Sequence, residues 1–357
     1  MTTTTLATRP VAPQQARSTR EIVLIGSGAV LLVGLAIWII WNLVSSPTQT
    51  IQASVFGLSN GVLYALIALG YTLVYGVLKL LNFAHGDVFM VGSFAGFGVF
   101  QALGGSDPTV PLWLFLSLVT LAGMAVCAAL GVAIERFAYR PLRDAPRIAP
   151  LISALGVSFF LANSMQLLFG AAPRTYDTFD IHNAVLYTSG FDIGNVHMPL
   201  LRVITIAAAF VLMVALWLVV NRTQAGKAMR ATSFDREAAS MMGIDVDRVI
   251  VFTFVIGSAL AGAAGVFFAL RVPTTVSIGF VAGLKGFTAA VIGGIGSIPG
   301  AMAGGLLLGF AESYTQGYFP YVKDHTQWSD LVIFVILIAF MIFRPQGFFG
   351  RADIRKV

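Results

Sequence analysis

Charged side chains are scarce in this sequence: Asp, Glu, Lys and Arg make up 11% of the 357 residues, against about a quarter in globular domains. Hydrophobic residues make up 57%, and the mean hydropathy is +0.85. Because a membrane-spanning helix needs about 20 apolar residues, this length provides about 8–10 spans and leaves no room for a large soluble domain. The composition therefore predicts a polytopic membrane protein.

Cysteine and catalytic motifs are almost absent. Cys127 is the one cysteine, so an intrachain disulfide and a cysteine metal site are excluded. The sequence has no G-x-x-x-x-G-K-[ST] loop, and its nearest candidate, residues 293–297, lacks the lysine that reaches the phosphates. It also has no H-E-x-x-H and no paired aspartates within an apolar run. We expect no catalytic residue, no metal and no cofactor, so any ATP energy must come from a partner.

Apolar runs recur along the chain and predict an all-α fold, a transmembrane helical bundle. Residues 1–20 are rich in Thr, Pro, Gln and Arg and predict a disordered tail, 21–350 a membrane domain, and 351–357 a second tail. The Gly-rich runs within 276–317 are either two crossings or a re-entrant pair. The candidate spans are 22–44, 53–78, 88–103, 112–135, 151–169, 200–220, 249–270, 276–295, 298–317 and 331–343.

Basic residues collect in the short gaps between these runs, which indicates membrane topology rather than nucleic-acid binding, despite the net charge of +6. If every run crosses the membrane, the basic clusters and both termini fall on the same side, which is the cytoplasmic side. The clusters are Arg9, Arg17 and Arg20; Lys79; Arg136, Arg140, Arg143 and Arg147; Arg222, Lys227, Arg230, Arg236 and Arg248; and Arg344, Arg351, Arg355 and Lys356.

Glycine recurs at four-residue spacing in several spans, and this spacing lets helix backbones approach closely. Such pairs are typical of tight helix packing; alternatively, the helices that carry them shift against each other during a conformational cycle. The pairs are Gly57 and Gly61, Gly92 and Gly96, Gly300 and Gly304, and Gly305 and Gly309.

The longest cytoplasmic connection covers about residues 222–248. Ser233 or Asp235 is placed to cap a short helix, and Gly243 is placed to end it. An exposed helix of small residues and flexible methionines favours a groove on another protein. The alternative is an ordinary connecting helix. The residues of this predicted helix are Glu237, Ala238, Ala239, Met241 and Met242.

A polar segment interrupts two apolar runs at residues 82–87. Polar groups are costly in lipid unless they are buried in protein or wetted. Asn82 or Asp87 could cap the next helix, with His85 and Gly86 at its entrance. The alternative is a break that lines a translocation path, where a helix end and unwound carbonyls attract charged groups. A metal or proton-relay role for His85 is the least favoured reading.

Glu312 lies inside an apolar run, toward the outer end of its predicted span. An intramembrane carboxylate is a functional candidate by default, so Glu312 joins the candidate path residues. It either faces water in an outer vestibule or pairs with Lys285, which lies in the preceding run.

Several segments resemble the branched-chain amino acid ABC transporter permeases of the LivH type. The resemblance covers roughly residues 57–350, in the expected order. The short cytoplasmic helix is similar to the Glu-Ala-Ala…Gly loop of ABC importer permeases, matched here by Glu237, Ala238, Ala239 and Gly243. In that family the loop docks on the ATPase. The matching segments are 61–76, 82–87, 138–143, 150–156, 287–300 and 344–347.

The resemblance implies a non-enzymatic permease domain over residues 21–350, in a bacterial-type inner membrane. Its implied partners are ABC ATPase subunits, a second related permease subunit, an extracytoplasmic solute-binding protein and membrane lipid. The implied substrate is a branched-chain amino acid; urea, short amides and other amino acids are alternatives within the family. The outer connection, about 170–199, is either a docking surface for the binding protein or a plain structured loop. A stand-alone channel or ion-coupled carrier is the competing class.

Overall fold

The computed structural model describes residues 37, 40–105, 110–143, 145–146, 148–176, 185–318, 325–344 and 346–350. The predicted tails at 1–20 and 351–357, and most of the predicted span at 22–44, lie outside the described residues. Packing divides the chain into two units, 1–50 and 51–357. Of the first unit, residues 40–45 and 47–50 are helical.

The described chain is mostly helical, which confirms the predicted all-α class. One π-helical turn, Glu135–Tyr139, and one 3-10 turn, Arg140–Leu142, follow directly on the α-helix that ends at Ile134. The α-helices are α1 Pro47–Leu78, α2 His85–Ala102, α3 Leu112–Ile134, α4 Ile148–Phe169, α5 Val185–Thr188, α6 Leu200–Arg222, α7 Gln224–Phe234, α8 Arg236–Met241, α9 Val246–Ala269, α10 Ile278–Gly293, α11 Ile298–Tyr318 and α12 His325–Phe343.

The long helices overlap the predicted apolar runs, whereas α5, α7 and α8 lie outside them. Among the residues that the structure describes, five helices are long and apolar enough to cross a membrane: α1, α3 with its continuation to Leu142, α4, α6 and α9. Two shorter apolar helices, Ile278–Gly293 and Trp328–Phe343, follow. The Gly-rich runs form two helices, α10 and α11, joined by a turn in which Gly294 and Gly296 have positive φ. Ser297 accepts a hydrogen bond from the Gly300 amide at 3.2 Å and caps α11, with Pro299 in its first turn.

A small hairpin, which the sequence did not predict, lies in the outer connection. Strands β1, Gly190–Ile193, and β2, Val196–Pro199, pair antiparallel with Asp192 opposite His197. Gly194 in the two-residue turn has φ +62°, a left-handed conformation that glycine adopts without strain. Backbone hydrogen bonds between Arg174 and Thr274 also tie this connection to the loop between α9 and α10.

Close glycine contacts hold the core helices together. α9 packs against α2 and α3, and α10 packs against α2 and α11. A Cβ added to Gly309 would collide with the Gly61 backbone, and one added to Gly92 would lie 2.6 Å from the Gly262 Cα. Cys127 lies at this second crossing, buried, and its thiol donates to the Val88 carbonyl at 3.1 Å. The predicted tight helix packing is therefore confirmed.

Candidate functional site

The connection at about 222–248 folds into two short helices, α7 and α8, with capped ends. The Asp235 carboxylate accepts a hydrogen bond from the Ala238 amide at 3.1 Å and begins α8. Gly243, at φ +81°, ends it, and the Ile244 amide donates back to the Ala239 carbonyl at 3.1 Å. The predicted cap and stop are both confirmed, with Asp235 rather than Ser233 as the cap.

The outer face of these helices exposes apolar side chains. Phe234 and Met241 are each 86% exposed and Met242 is 83% exposed. Glu237 and Ala238 are exposed on the same helix, whereas Ala239 is buried. This face therefore presents small and flexible apolar groups, which are the groups that a protein groove accepts.

Arg236 fixes the start of α8 to the end of α1. Its Nη2 and Nε donate to the Val77 carbonyl at 3.0 and 3.3 Å. Burial, and then the nearby Arg143 charge, lower the pKa of Arg236 below its ordinary value. Since an arginine pKa normally lies above about 12, the guanidinium keeps its charge at neutral pH.

An ion-pair network lies beside this contact. Arg140 and Arg143 both pair with Asp247, in the first turn of α9, and Arg143 also pairs with Glu135. Glu135 is 1% exposed, so its charge is neutralised inside the protein. The Tyr139 hydroxyl donates to the Leu81 carbonyl at 3.1 Å. The end of α1, the end of α3 and the start of α9 are thereby joined at one level.

The polar segment at 82–87 differs from the capped form, which was one of the two forms that the sequence predicted. The unwound stretch ends earlier than expected, because His85, Gly86 and Asp87 already form the first turn of α2. The capping prediction is wrong: Ala84 occupies the cap position without a side-chain cap. The Asn82 side chain instead accepts from the Ala84 amide at 3.1 Å, ahead of the helix. The Asp87 carboxylate turns toward α4.

Each of these polar groups is buried against a neighbouring helix. Asp87 is 4% exposed and accepts a hydrogen bond from the Ser158 hydroxyl of α4. His85 is 1% exposed and packs edge-on against Tyr71, with ring centroids 4.8 Å apart. A Cβ on Gly86 would collide with the Gly279 carbonyl of α10. His85 and Gly86 thus pack helices, and Asp87 carries the charge of this segment.

Glu312 belongs to a second buried cluster. Its carboxylate accepts from Lys285 Nζ and from the Tyr64 hydroxyl, each at 2.6 Å. Lys285 also forms an ion pair with Asp330 at 2.7 Å. The predicted pairing with Lys285 is therefore confirmed. Lys285 and Glu312 are 7% and 3% exposed, so these two buried charges neutralise each other inside the bundle.

The candidate path residues occupy two levels. The Glu312 cluster contacts α1 at Tyr64, and the His85 ring contacts α1 at Tyr71. Seven residues of helix separate the two contacts by about 10 Å along the axis. The sequence did not identify Asp330, Tyr64, Ser158 or the Arg236 contact with Val77 as parts of these clusters. The available signal for Ser158 was a polar residue inside an apolar run, and for Asp330 it was a charged residue directly before one.

No metal-binding group of three or more His, Cys, Asp or Glu side chains occurs among the residues that the structure describes. His197 Nδ1 lies 2.8 Å from the Asp192 carboxylate, across the hairpin. His182 falls outside the described residues.

Comparison with known proteins defines the class. The family "Branched-chain amino acid transport system / permease component" matches residues 54–341, and the chain belongs to this family. The chain is 42% identical to the high-affinity branched-chain amino acid transport system permease protein BraD of Pseudomonas aeruginosa over 310 residues, which cover 86% of this chain and 98% of BraD.

A second relative and a solved structure are also similar to this chain. The LivH permease protein of Salmonella typhimurium is 40% identical, over 84% of this chain and 96% of LivH. The solved structure of PsaBC from Streptococcus pneumoniae in complex with Fab shares 14% identity and a TM-score of 0.46, over 87% of this chain and 97% of that one. Relatives such as LivH thus match this chain over nearly their full length.

Proposed function

We propose that the chain is the transmembrane permease subunit of an ATP-binding-cassette importer. The single observation that carries this is α8, a capped helix that exposes Met241 and Met242 beside a membrane domain without a nucleotide motif. The helix then docks in a groove of an ATPase subunit and transmits its movement. The chain itself is not an enzyme, and its further partners are a second permease subunit and a solute-binding protein.

The proposed substrate class is the branched-chain amino acids. The names of BraD and LivH, at 42% and 40% identity over most of the chain, support this choice. In the proposed path, Asp87 and the Glu312 cluster supply the polar groups, and the outer connection at 170–199 receives the binding protein.

Movement of α8 has a defined route to the membrane helices in this proposal. Arg236 links the start of α8 to the Val77 carbonyl, near the end of α1. The chain then unwinds at 79–84, where Lys79 has φ +56°, and α2 begins at His85. A shift of α8 would therefore pull on the turn that precedes Asp87.

Both termini and the α7–α8 connection are cytoplasmic in the proposed topology, because the basic clusters lie on that side. Single cysteines introduced at positions 140 and 227 should react only with permeant reagents. A cysteine at position 180 should react with impermeant reagents. Labelling of position 227 from outside would contradict this orientation.

The coupling role is tested with Ala238→Arg and Gly243→Val. Ala238 is exposed, so Arg fits the isolated chain but obstructs a close-fitting groove. Gly243→Val places a branched side chain at φ +81° and disturbs the helix end. Both variants should insert normally yet lose ATPase co-purification and substrate-stimulated hydrolysis.

Gly98→Val, in α2, is the control, since open space surrounds it. If both test variants keep wild-type association and hydrolysis, α8 only connects α7 to α9 and has no coupling role.

The path role of Asp87 is tested with Asp87→Asn, which removes the charge but keeps a hydrogen-bonding group for Ser158. Uptake should fall several-fold while membrane insertion and ATPase association stay unchanged. Gly86→Val cannot serve here, because its side chain would collide with α10 whether or not the segment lines a path. Unchanged uptake by Asp87→Asn would leave Asp87 with a packing role alone.

A further inference from the structure

A polar cavity of about 320 Å³ opens at the cytoplasmic end of the bundle, beside the start of α8. Its wall combines the end of α1 at residues 77–80, the turn before α4, and the junction of α7 and α8. Neither the proposed translocation path nor the exposed face of α8 accounts for it. Three cationic side chains line it: Lys79, Arg143 and Arg236.

The cations of this cavity exceed the anions around it. Arg140 and Arg143 are balanced by Asp247 and Glu135 in the network described above. Arg236 and Lys79 have no carboxylate within ion-pair distance among the residues that the structure describes. Arg143 and Arg236 also repel each other, which contributes to the lowered pKa of Arg236. An anion placed in the cavity would relieve this repulsion.

Two buried polar groups at the cavity lack a hydrogen-bond partner. Thr232 is 1% exposed, lines the cavity, and its hydroxyl makes no hydrogen bond. The Arg143 Nε is likewise buried and unpartnered. Leaving a buried hydrogen-bonding group without a partner is unfavourable, so a ligand that supplies one gains affinity. The amino end of α4 adds a favourable dipole, because Pro150 of its first turn lines the same cavity.

We propose that this cavity binds a phosphate-bearing anion, held by Arg236 and Lys79 with the Thr232 hydroxyl as a hydrogen-bond donor. Arginine and lysine are the usual partners of phosphate oxygens, and basic pockets at the cytoplasmic rim of membrane helices receive anionic headgroups. The phosphate comes from an anionic phospholipid or from a soluble phosphate compound. The bound anion ties the start of α8 to the end of α1.

The test uses the full chain in nanodiscs of phosphatidylcholine, with or without phosphatidylglycerol. Wild type should retain phosphatidylglycerol in native mass spectrometry and gain thermal stability from it. Arg236→Gln should bind it about tenfold more weakly, as expected for loss of a charged hydrogen bond. Thr232→Val should be neutral or stabilising without anion and should gain less when the anion is added. Arg136→Gln removes one charge from an exposed position at the same rim and should bind like wild type.

A second arm adds inorganic phosphate to the phosphatidylcholine nanodiscs. If inorganic phosphate stabilises wild type but not Arg236→Gln, the cavity binds phosphate from a soluble compound. If phosphatidylglycerol stabilises wild type and inorganic phosphate does not, the cavity binds the phosphate of a lipid headgroup. The proposal is overturned if neither anion has an effect, as when a partner's acidic side chain fills the cavity. Equal losses in Arg136→Gln and Arg236→Gln would also overturn it.

Discussion

The short helix α8 and the core of the bundle distribute their side chains in opposite ways. At the end of α8, Met241 and Met242 are exposed, whereas Lys285 and Glu312 are buried between helices. Lys285 and Glu312 pair with each other, and Asp87, which is also buried, accepts a hydrogen bond from a hydroxyl group of α4. The charged groups of the core are therefore held by neighbouring helices, whereas in the proposed function the exposed methionines contact a second protein.

The largest expected effect comes from breaking the buried charge cluster. Glu312→Ala would leave Lys285 with Asp330 alone and the Tyr64 hydroxyl without its acceptor. Removing one partner of a buried ion pair costs about 3–5 kcal/mol, so the folded chain should be strongly destabilised. Thermal unfolding in detergent measures this.

Glu312→Gln is the matched variant for that measurement. It keeps an acceptor for Tyr64 and loses only the charge, so its destabilisation should be smaller than that of Glu312→Ala. Equal stability of Glu312→Ala and wild type would show that the cluster contributes nothing to the fold.

The next effect concerns the glycine contacts. Gly309→Ala places a methyl group against the Gly61 backbone and forces α1 and α11 apart. Overpacking of this kind costs about 1–3 kcal/mol. Gly98→Ala is the control, because no atom lies near its added methyl group and alanine favours helix. The two variants should separate clearly in unfolding temperature; if they coincide, close backbone approach is not what holds these helices.

A smaller effect is expected at the start of α8. Asp235→Ala removes the acceptor for the Ala238 amide, and loss of such a cap costs about 1 kcal/mol. Hydrogen exchange should speed up across residues 236–241 and stay unchanged in α9. Asp235→Asn retains a good cap and should behave close to wild type. Faster exchange in both variants alike would point to the charge of Asp235 rather than to its capping bond.

Local signals in the sequence predicted more than long-range ones. Runs of apolar residues predicted the long helices α1 to α4, α6 and α9 to α12, because membrane spans must satisfy their backbone within each helix. Asp235 and Gly243 predicted the ends of α8, since caps depend on a few neighbouring residues. The partners of Asp87 and Lys285 lie on other helices, and pattern alone does not say which faces meet. For that reason Ser158 and Asp330 were missed, and Lys285 remained one of two alternatives for Glu312.

The polar segment at 82–87 shows the same limit. Its polar residues signalled an interruption, but the side chains that decide where α2 begins are packed by Tyr71 and Gly279, which are distant in sequence. Helix boundaries near buried polar groups are thus set by tertiary contacts, and the sequence placed the start of α2 three residues too late.

One measurement tests the central claim most directly: leucine uptake into proteoliposomes that contain this chain with its ATPase subunits, second permease and solute-binding protein. The account predicts uptake that requires ATP and the binding protein, and that Ala238→Arg abolishes while Gly98→Val preserves it. Leucine uptake by the chain alone, without ATPase or ATP, would contradict the account and identify a self-sufficient carrier or channel.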